Sequence, residues 1–190
     1  SQSSKDEVQK AFIAFYGRPA APTGLDWWAD EYESTGSWDA LIESFSNTSE
    51  SQSLYSATTT EALVEQIFQQ SLGRSTSTQE GLDYWCDQLD SGAQTSGDLI
   101  LSVLQVAATS TGTDGDTIDN KLEAANFFTN MLATDATLED SYSGATVASD
   151  ARDLLSAVDS SSSSVATAMS GYDDFAVELE CTSSEPNWLW

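Results

Sequence analysis

The chain has 190 residues, 39% hydrophobic and 10% aromatic, enough apolar surface for one domain or for two small units sharing a core. Thirty-one Asp and Glu face six Lys and Arg, a net charge of −25 at pH 7 that leaves almost nothing to neutralise phosphates and argues against nucleic acid or anionic membrane surfaces as partners. Histidine is absent, which removes the commonest acid–base residue and metal ligand and excludes a Ser-His-Asp or Cys-His site within this chain.

Helical periodicity runs through the sequence and alternating β-branched stretches are missing, so the expected fold class is all-α. Val8, Phe12, Phe15 and Tyr16 mark a first helix, which Gly17 is placed to end. Pro19 and Pro22 hold the next loop extended. Leu25, Trp28 and Tyr32 mark a second helix, and Ser37 can cap a third that carries Leu41, Ile42 and Phe45. The same plan then occurs again. Leu63, Ile67 and Phe68 form a helix stopped near Gly73; Leu82, Trp85 and Leu89 form the next; Thr95 can cap one carrying Leu99, Ile100, Val103, Leu104 and Ala107.

Beyond Gly112 a polar turn leads into a longer helix with Ile118, Leu122, Ala125, Phe128 and Met131. Val147, Leu154, Leu155 and Val158 mark another. The serine run at 160–164 reads as a helix start, because Val165, Met169, Tyr172, Ala176 and Leu179 come after it at heptad spacing. Pro186 bars a helix through the last few residues. The organisation expected is a first helical repeat over 1–56, a similar second repeat over 57–112, and a C-terminal helical extension with an apolar tail over 113–190. No run of 18 apolar residues is present, so no transmembrane helix is expected. Ser1 is compatible with removal of an initiator Met or of a leader.

Two copies of one motif anchor that division. Gly17-Arg18 precedes Gly24-Leu25-Asp26-Trp27-Trp28, and Gly73-Arg74 precedes Gly81-Leu82-Asp83-Tyr84-Trp85, with one residue more between the two elements in the second copy. The shared residues carry no acid–base pair, nucleophile or phosphate loop. Arg18 and Arg74 are two of only six basic residues, and each is expected to pair with a nearby carboxylate, Asp26 and Asp83 being the candidates. Trp28 and Trp85 sit at core spacing. Trp27, Tyr32 and Trp38 are candidates for an exposed aromatic surface that binds a sugar or a partner chain.

This ordered set of short motifs resembles the bacterial family called domain of unknown function 4214. The segment Thr117-Ile118-Asp119-Asn120-Lys121-Leu122 through Asn126-Phe127-Phe128-Thr129 resembles the stretch that comes after the repeats in that family, so the resemblance covers roughly residues 8 to 132. It implies an all-helical module of secreted or surface proteins, with members in surface-layer, calcium-binding extracellular and biofilm-related proteins, and it implies no catalytic residue set. Glycine-rich nonapeptide calcium repeats are not present here, so a calcium role depends on other sites.

Asp114, Asp116, Asp119 and Asn120 are the best local oxygen-ligand cluster for calcium, although the spacing lacks a complete helix-loop-helix calcium loop and its terminal Glu. The alternative reading is a helix start whose acids favour the helix dipole. Cys86 and Cys181 fit no zinc spacing and are candidates for a disulfide tying the C-terminal arm to the second repeat; one buried and one exposed thiol is the alternative. Trp188, Leu189 and Trp190 in the tail need a binding place, either a groove of the same chain or a neighbouring copy.

The function expected is that of a secreted bacterial structural protein, not an enzyme. It would self-assemble into a surface layer, filament or biofilm matrix at the cell surface, with divalent cations, calcium first, bridging acidic surfaces. The alternative is a module that binds cell-surface polysaccharide or lipopolysaccharide.

Overall fold

Two central helices organise the computed structural model, which describes residues 1–183: α1 (Gln2–Tyr16) and α8 (Thr113–Leu132). Around α1 lie α2 (Pro22–Thr35), α4 (Ser49–Leu54), α5 (Thr60–Leu72) and α7 (Ser96–Ala108). The short α3 (Asp39–Ser46) rests on α7, and α6 (Gln79–Asp90) rests on α5 and α7. The C-terminal layer, α9 (Ala136–Ser141), α10 (Ala145–Ser156) and α11 (Ser162–Ser183), closes over α8. The described residues contain helices and no strand, so the fold is all-α.

The helix ends reflect local chemistry. Gly17 (φ 64) and Gly73 (φ 68) both take the left-handed conformation, and their amides donate to Ile13 and Gln69 carbonyls, ending α1 and α5 one residue before each motif arginine. Thr95 caps α7 in a full capping box with Asp98. Ser37 serves α3 in a modified way: the cap position is Trp38, while the Ser37 hydroxyl accepts from the Asp39 amide. The serine run does start a helix: α11 begins at Ser162, just after Ser161 and Asp159 tie the turn together.

One continuous core joins all three sections of the chain. Val8, Ile13 and Phe15 from α1, Ile67 from α5, Leu99 and Leu104 from α7, and Ile118, Phe128 and Leu132 from α8 are fully enclosed. Each such side chain contributes roughly 1.5–3 kcal/mol on removal from water. Tyr172 of α11 is also fully buried; its ring stacks on Phe128 with centroids 4.6 Å apart, and its hydroxyl donates to the Ala151 carbonyl. The positions 56/57 and 112/113 fall between helices, but the core runs across both.

The two motif copies pack unequally. Phe45 collects Phe12, Phe15, Tyr16 and Trp28 into a dense aromatic cluster. Among the described residues, the aromatic rings beside Trp85 are Phe68, at 6.4 Å, and its neighbour Tyr84, and α6 contributes no fully buried residue. Trp28 and Trp85 are therefore half-buried at the edge of the core and not enclosed by it, because α2 and α6 are outer helices with one covered face.

Candidate functional site

The motif arginines form the same local arrangement twice, but with partners other than those expected. Arg18 grips Glu50 of α4 with both ends of its fork, Nε to Oε1 at 2.7 Å and Nη2 to Oε2 at 2.9 Å. Arg74 grips Asp114 of α8 in the same way, with Nε to Oδ1 at 2.8 Å. In each case Nη1 donates to the carbonyl of the next residue, Pro19 or Ser75, and the guanidinium lies over an aromatic ring of the preceding helix, Tyr16 or Phe68. Asp26 instead pairs with Lys5 at 2.6 Å, and Asp83 accepts from Gln79. The expected partners lie on the helix immediately after the loop; the actual ones come from a helix that folds back across it.

The first staple is extended by a residue that the sequence did not single out. Arg152 of α10 donates from Nη2 to Glu50 Oε1 at 2.6 Å and from Nε to the Tyr16 carbonyl at 2.7 Å. Two guanidiniums thus share one carboxylate. Burial pulls the Arg18 pKa down, but the hydrogen bonds it donates to Glu50 and the nearby Tyr142 outweigh it and hold it above the ordinary arginine value. Burial likewise works to raise the Glu50 carboxyl, and Arg18 and Arg152 together keep it below its ordinary range. The Tyr142 hydroxyl completes the surround by donating to the Pro19 carbonyl.

The acidic cluster is not gathered into one site. Asp114 is committed to Arg74, whose hydrogen bond holds its carboxyl below the ordinary range. Asn120 turns the other way and donates its amide to the Asp159 and Ser161 carbonyls, joining α8 to the start of α11. Asp116 and Asp119 face solvent. Asp116, Asp119 and Asn120 share one face of α8 at i, i+3 and i+4, but Asn120 is drawn to the start of α11 and Asp114 is turned to Arg74 on another face, so the four do not converge on one point. Among the described residues, no group of three or more His, Cys, Asp or Glu is placed to hold a metal ion.

No disulfide joins Cys86 to Cys181 in this structure. Cys86 is half-buried in α6, while Cys181 is exposed in α11, which packs on α8, α9 and α10. Of the aromatic candidates, Tyr32 and Trp38 stack at 4.1 Å with planes 20° apart. Trp27 stands apart from that pair, about 140° around α2 from Tyr32. It is 58% exposed and sits edge-on against Trp28; Tyr84, its counterpart in the second copy, is 56% exposed and sits likewise against Trp85. Trp188, Leu189 and Trp190 lie outside the described residues.

Every basic side chain is engaged inside the fold. Lys5 pairs with Asp26, Lys10 with Glu7, Arg18 and Arg152 with Glu50, and Arg74 with Asp114. Lys121 is buried on α8, with only the Gln70 carbonyl, at 3.4 Å, as a hydrogen-bond partner among the described residues, and desolvation pushes its pKa down to about 8. Its position between Ile118 and Ala125, on the apolar face of α8, was the one sequence signal that it would be buried. No described helix is long and apolar enough to cross a membrane.

No curated protein and no solved structure matches the chain. A family model does: residues 42–108, which run from α3 through α7 and contain the second motif copy, match Domain of unknown function (DUF4214), so the family resemblance carried by the motif is shown over this segment.

Proposed function

We propose that this chain is a non-enzymatic structural protein of the bacterial exterior, which self-assembles into a surface layer, filament or matrix through divalent cations, calcium first among them, that bridge the acidic faces of neighbouring copies. The observation that carries this reading is the disposition of charge. All six Lys and Arg are spent within the fold, and among the described residues their side-chain ion pairs use only Glu7, Asp26, Glu50 and Asp114. The outer surface is left as an array of carboxylates without basic partners, such as Asp173, Asp174 and Glu178 along α11. Two such surfaces repel at low ionic strength, and a multivalent cation turns that repulsion into a bridge. Light scattering with negative-stain microscopy, first with calcium and then with chelator, tests it. Ordered assemblies that dissolve in chelator are expected; a monomer under both conditions rejects the reading.

A second reading, a module for cell-surface polysaccharide or lipopolysaccharide, draws on the exposed Trp27 and Tyr84 and on the stacked Tyr32–Trp38 pair. Flat aromatic faces suit sugar rings. It predicts a monomer whose tryptophan fluorescence shifts on addition of extracted polysaccharide.

A further inference from the structure

We propose that the crevice between α4 and α10 is an oxyanion site, one that takes the carboxylate or phosphate of a small ligand such as a sugar acid or sugar phosphate. The inference stands independently of whether the protein assembles. The crevice measures about 440 Å³ and is lined by Arg18, Glu50 and Ser53 on one side and by Gly144, Ala148 and Arg152 on the other. That volume falls within the range of small-molecule sites and accommodates a monosaccharide.

In a chain of net charge −25, this is the place where two guanidiniums share a single carboxylate, so a local positive charge remains. The crevice also holds unspent hydrogen-bonding capacity. Arg152 uses Nε on the Tyr16 carbonyl and Nη2 on Glu50, and its Nη1 donates to no acceptor among the described residues. An arginine in this state is already oriented on one side and open on the other, which is the condition for adding a second oxyanion at low entropic cost.

The start of α10 adds to both. This 12-residue helix starts at the crevice with Gly144 in the cap position, and no side chain caps its first-turn amides. Those amides and the positive end of the helix dipole add to the arginines in favouring an anion. Glycine at the cap also leaves the mouth free of a side chain. A cation would meet two guanidiniums, and a neutral sugar would leave the open Arg152 donors unanswered, so an oxyanion is the ligand chemistry that fits. Glu50 does not bar it, because both of its oxygens are already bound by arginine.

The test is an NMR titration of the isotopically labelled full chain with inorganic phosphate, with galacturonate and with uncharged galactose. Phosphate or galacturonate should shift the amides of Gly144 and Ala145 and the side-chain signals of Arg152, and the tighter of the two identifies the oxyanion class. Galactose should leave these signals in place. Arg152→Gln should abolish binding, but it also removes the bond to Tyr16 and could loosen the fold. Ser53→Asp is the cleaner variant: Ser53 is exposed, and its replacement adds a carboxylate to the crevice wall while keeping both arginines. It should weaken binding about tenfold or more, the scale of one added like charge at close range. The proposal is overturned if neither anion moves these signals, if galactose moves them equally, or if Ser53→Asp binds as the parent does.

Discussion

Gln9 and Thr129, separated by 120 positions, share a fully buried hydrogen bond of 2.8 Å from Gln9 Nε2 to Thr129 Oγ1. The bond belongs to a closed circuit. Gln9 Oε1 accepts from the Ala20 amide, and the Thr129 hydroxyl donates to the Ala20 carbonyl. The circuit pins the loop after α1 to α8 while leaving no buried polar atom of the three residues unanswered. Thr129→Val keeps the shape but orphans the Ala20 carbonyl and one Gln9 donor. We expect a loss of roughly 1–3 kcal/mol in urea denaturation, and a double-mutant cycle with Gln9→Leu should show strong coupling.

The two arginine staples should differ in weight. Glu50 pairs with two guanidiniums at a quarter exposure, while Asp114 pairs with one, in a pair that is about as exposed on its carboxylate side and more so on its arginine side. Glu50→Gln should cost on the order of 2–4 kcal/mol, and Asp114→Asn or Arg74→Lys about 1 kcal/mol or less after solvent screening. Both carboxyls are held below their ordinary range, so the native state resists protonating them. Their contribution is therefore complete above roughly pH 5 and is lost as the pH falls through the lowered native values. An equal drop in melting temperature for the two Asn/Gln variants would contradict this ranking.

Lys121 should contribute stability that grows as the medium turns alkaline. Its native pKa is pushed down to about 8 by desolvation, against an unfolded value near 10.4. Between these values the unfolded chain holds a proton that the native state has released, so unfolding free energy rises with pH across that window. Lys121→Met should flatten the rise and stabilise the protein at pH 7 by on the order of 1–3 kcal/mol. The Cys86 thiol and the Tyr16, Tyr55, Tyr142 and Tyr172 hydroxyls, all pushed up chiefly by burial, slope the opposite way in both proteins and cancel in the comparison. Parallel pH–stability curves for parent and variant would rule out the charge cost at Lys121.

Glycine substitutions separate rigid from yielding contacts. A Cβ at Gly115 would collide with the backbone carbonyl of Ser110, which cannot move without breaking the turn before α8. A Cβ at Gly171 would meet the Leu154 Cδ2 methyl at 2.6 Å, the far end of a flexible side chain. Gly115→Ala should cost more than about 2 kcal/mol, whereas Gly171→Ala should cost less than about 1 kcal/mol once the gain in helix propensity is included. Thermal melts of the two variants decide it.

Much of the fold was legible before any tertiary contact. Gly17 and Gly73 each stop a helix because a left-handed residue is needed where the chain turns away, and glycine reaches that conformation without strain. Thr95 and Asp98 satisfy each other's backbone within one turn, so their role is also local. The serine run before Val165 reads as a helix start for the same reason. The motif arginines were recognisable as staples from their rarity, but Glu50 and Asp114 were not recognisable as their partners. Both acids are remote in sequence, and many others were equally eligible by charge alone.

The sequence by itself determined the all-α class, the principal helices and their ends, the repeated Gly-Arg element and the acidic character, because each comes from short-range sterics, periodicity and composition. Tertiary structure decided which carboxylate each arginine holds, that Asp114 and Asn120 turn to different neighbours, that Trp27 stands apart from Tyr32 and Trp38, and that Arg152 closes on Glu50 beside an open crevice. Those outcomes depend on how α4, α8 and α10 cross one another. That crossing is fixed by the packing of the whole core around α1 and α8, and no single stretch of chain contains it.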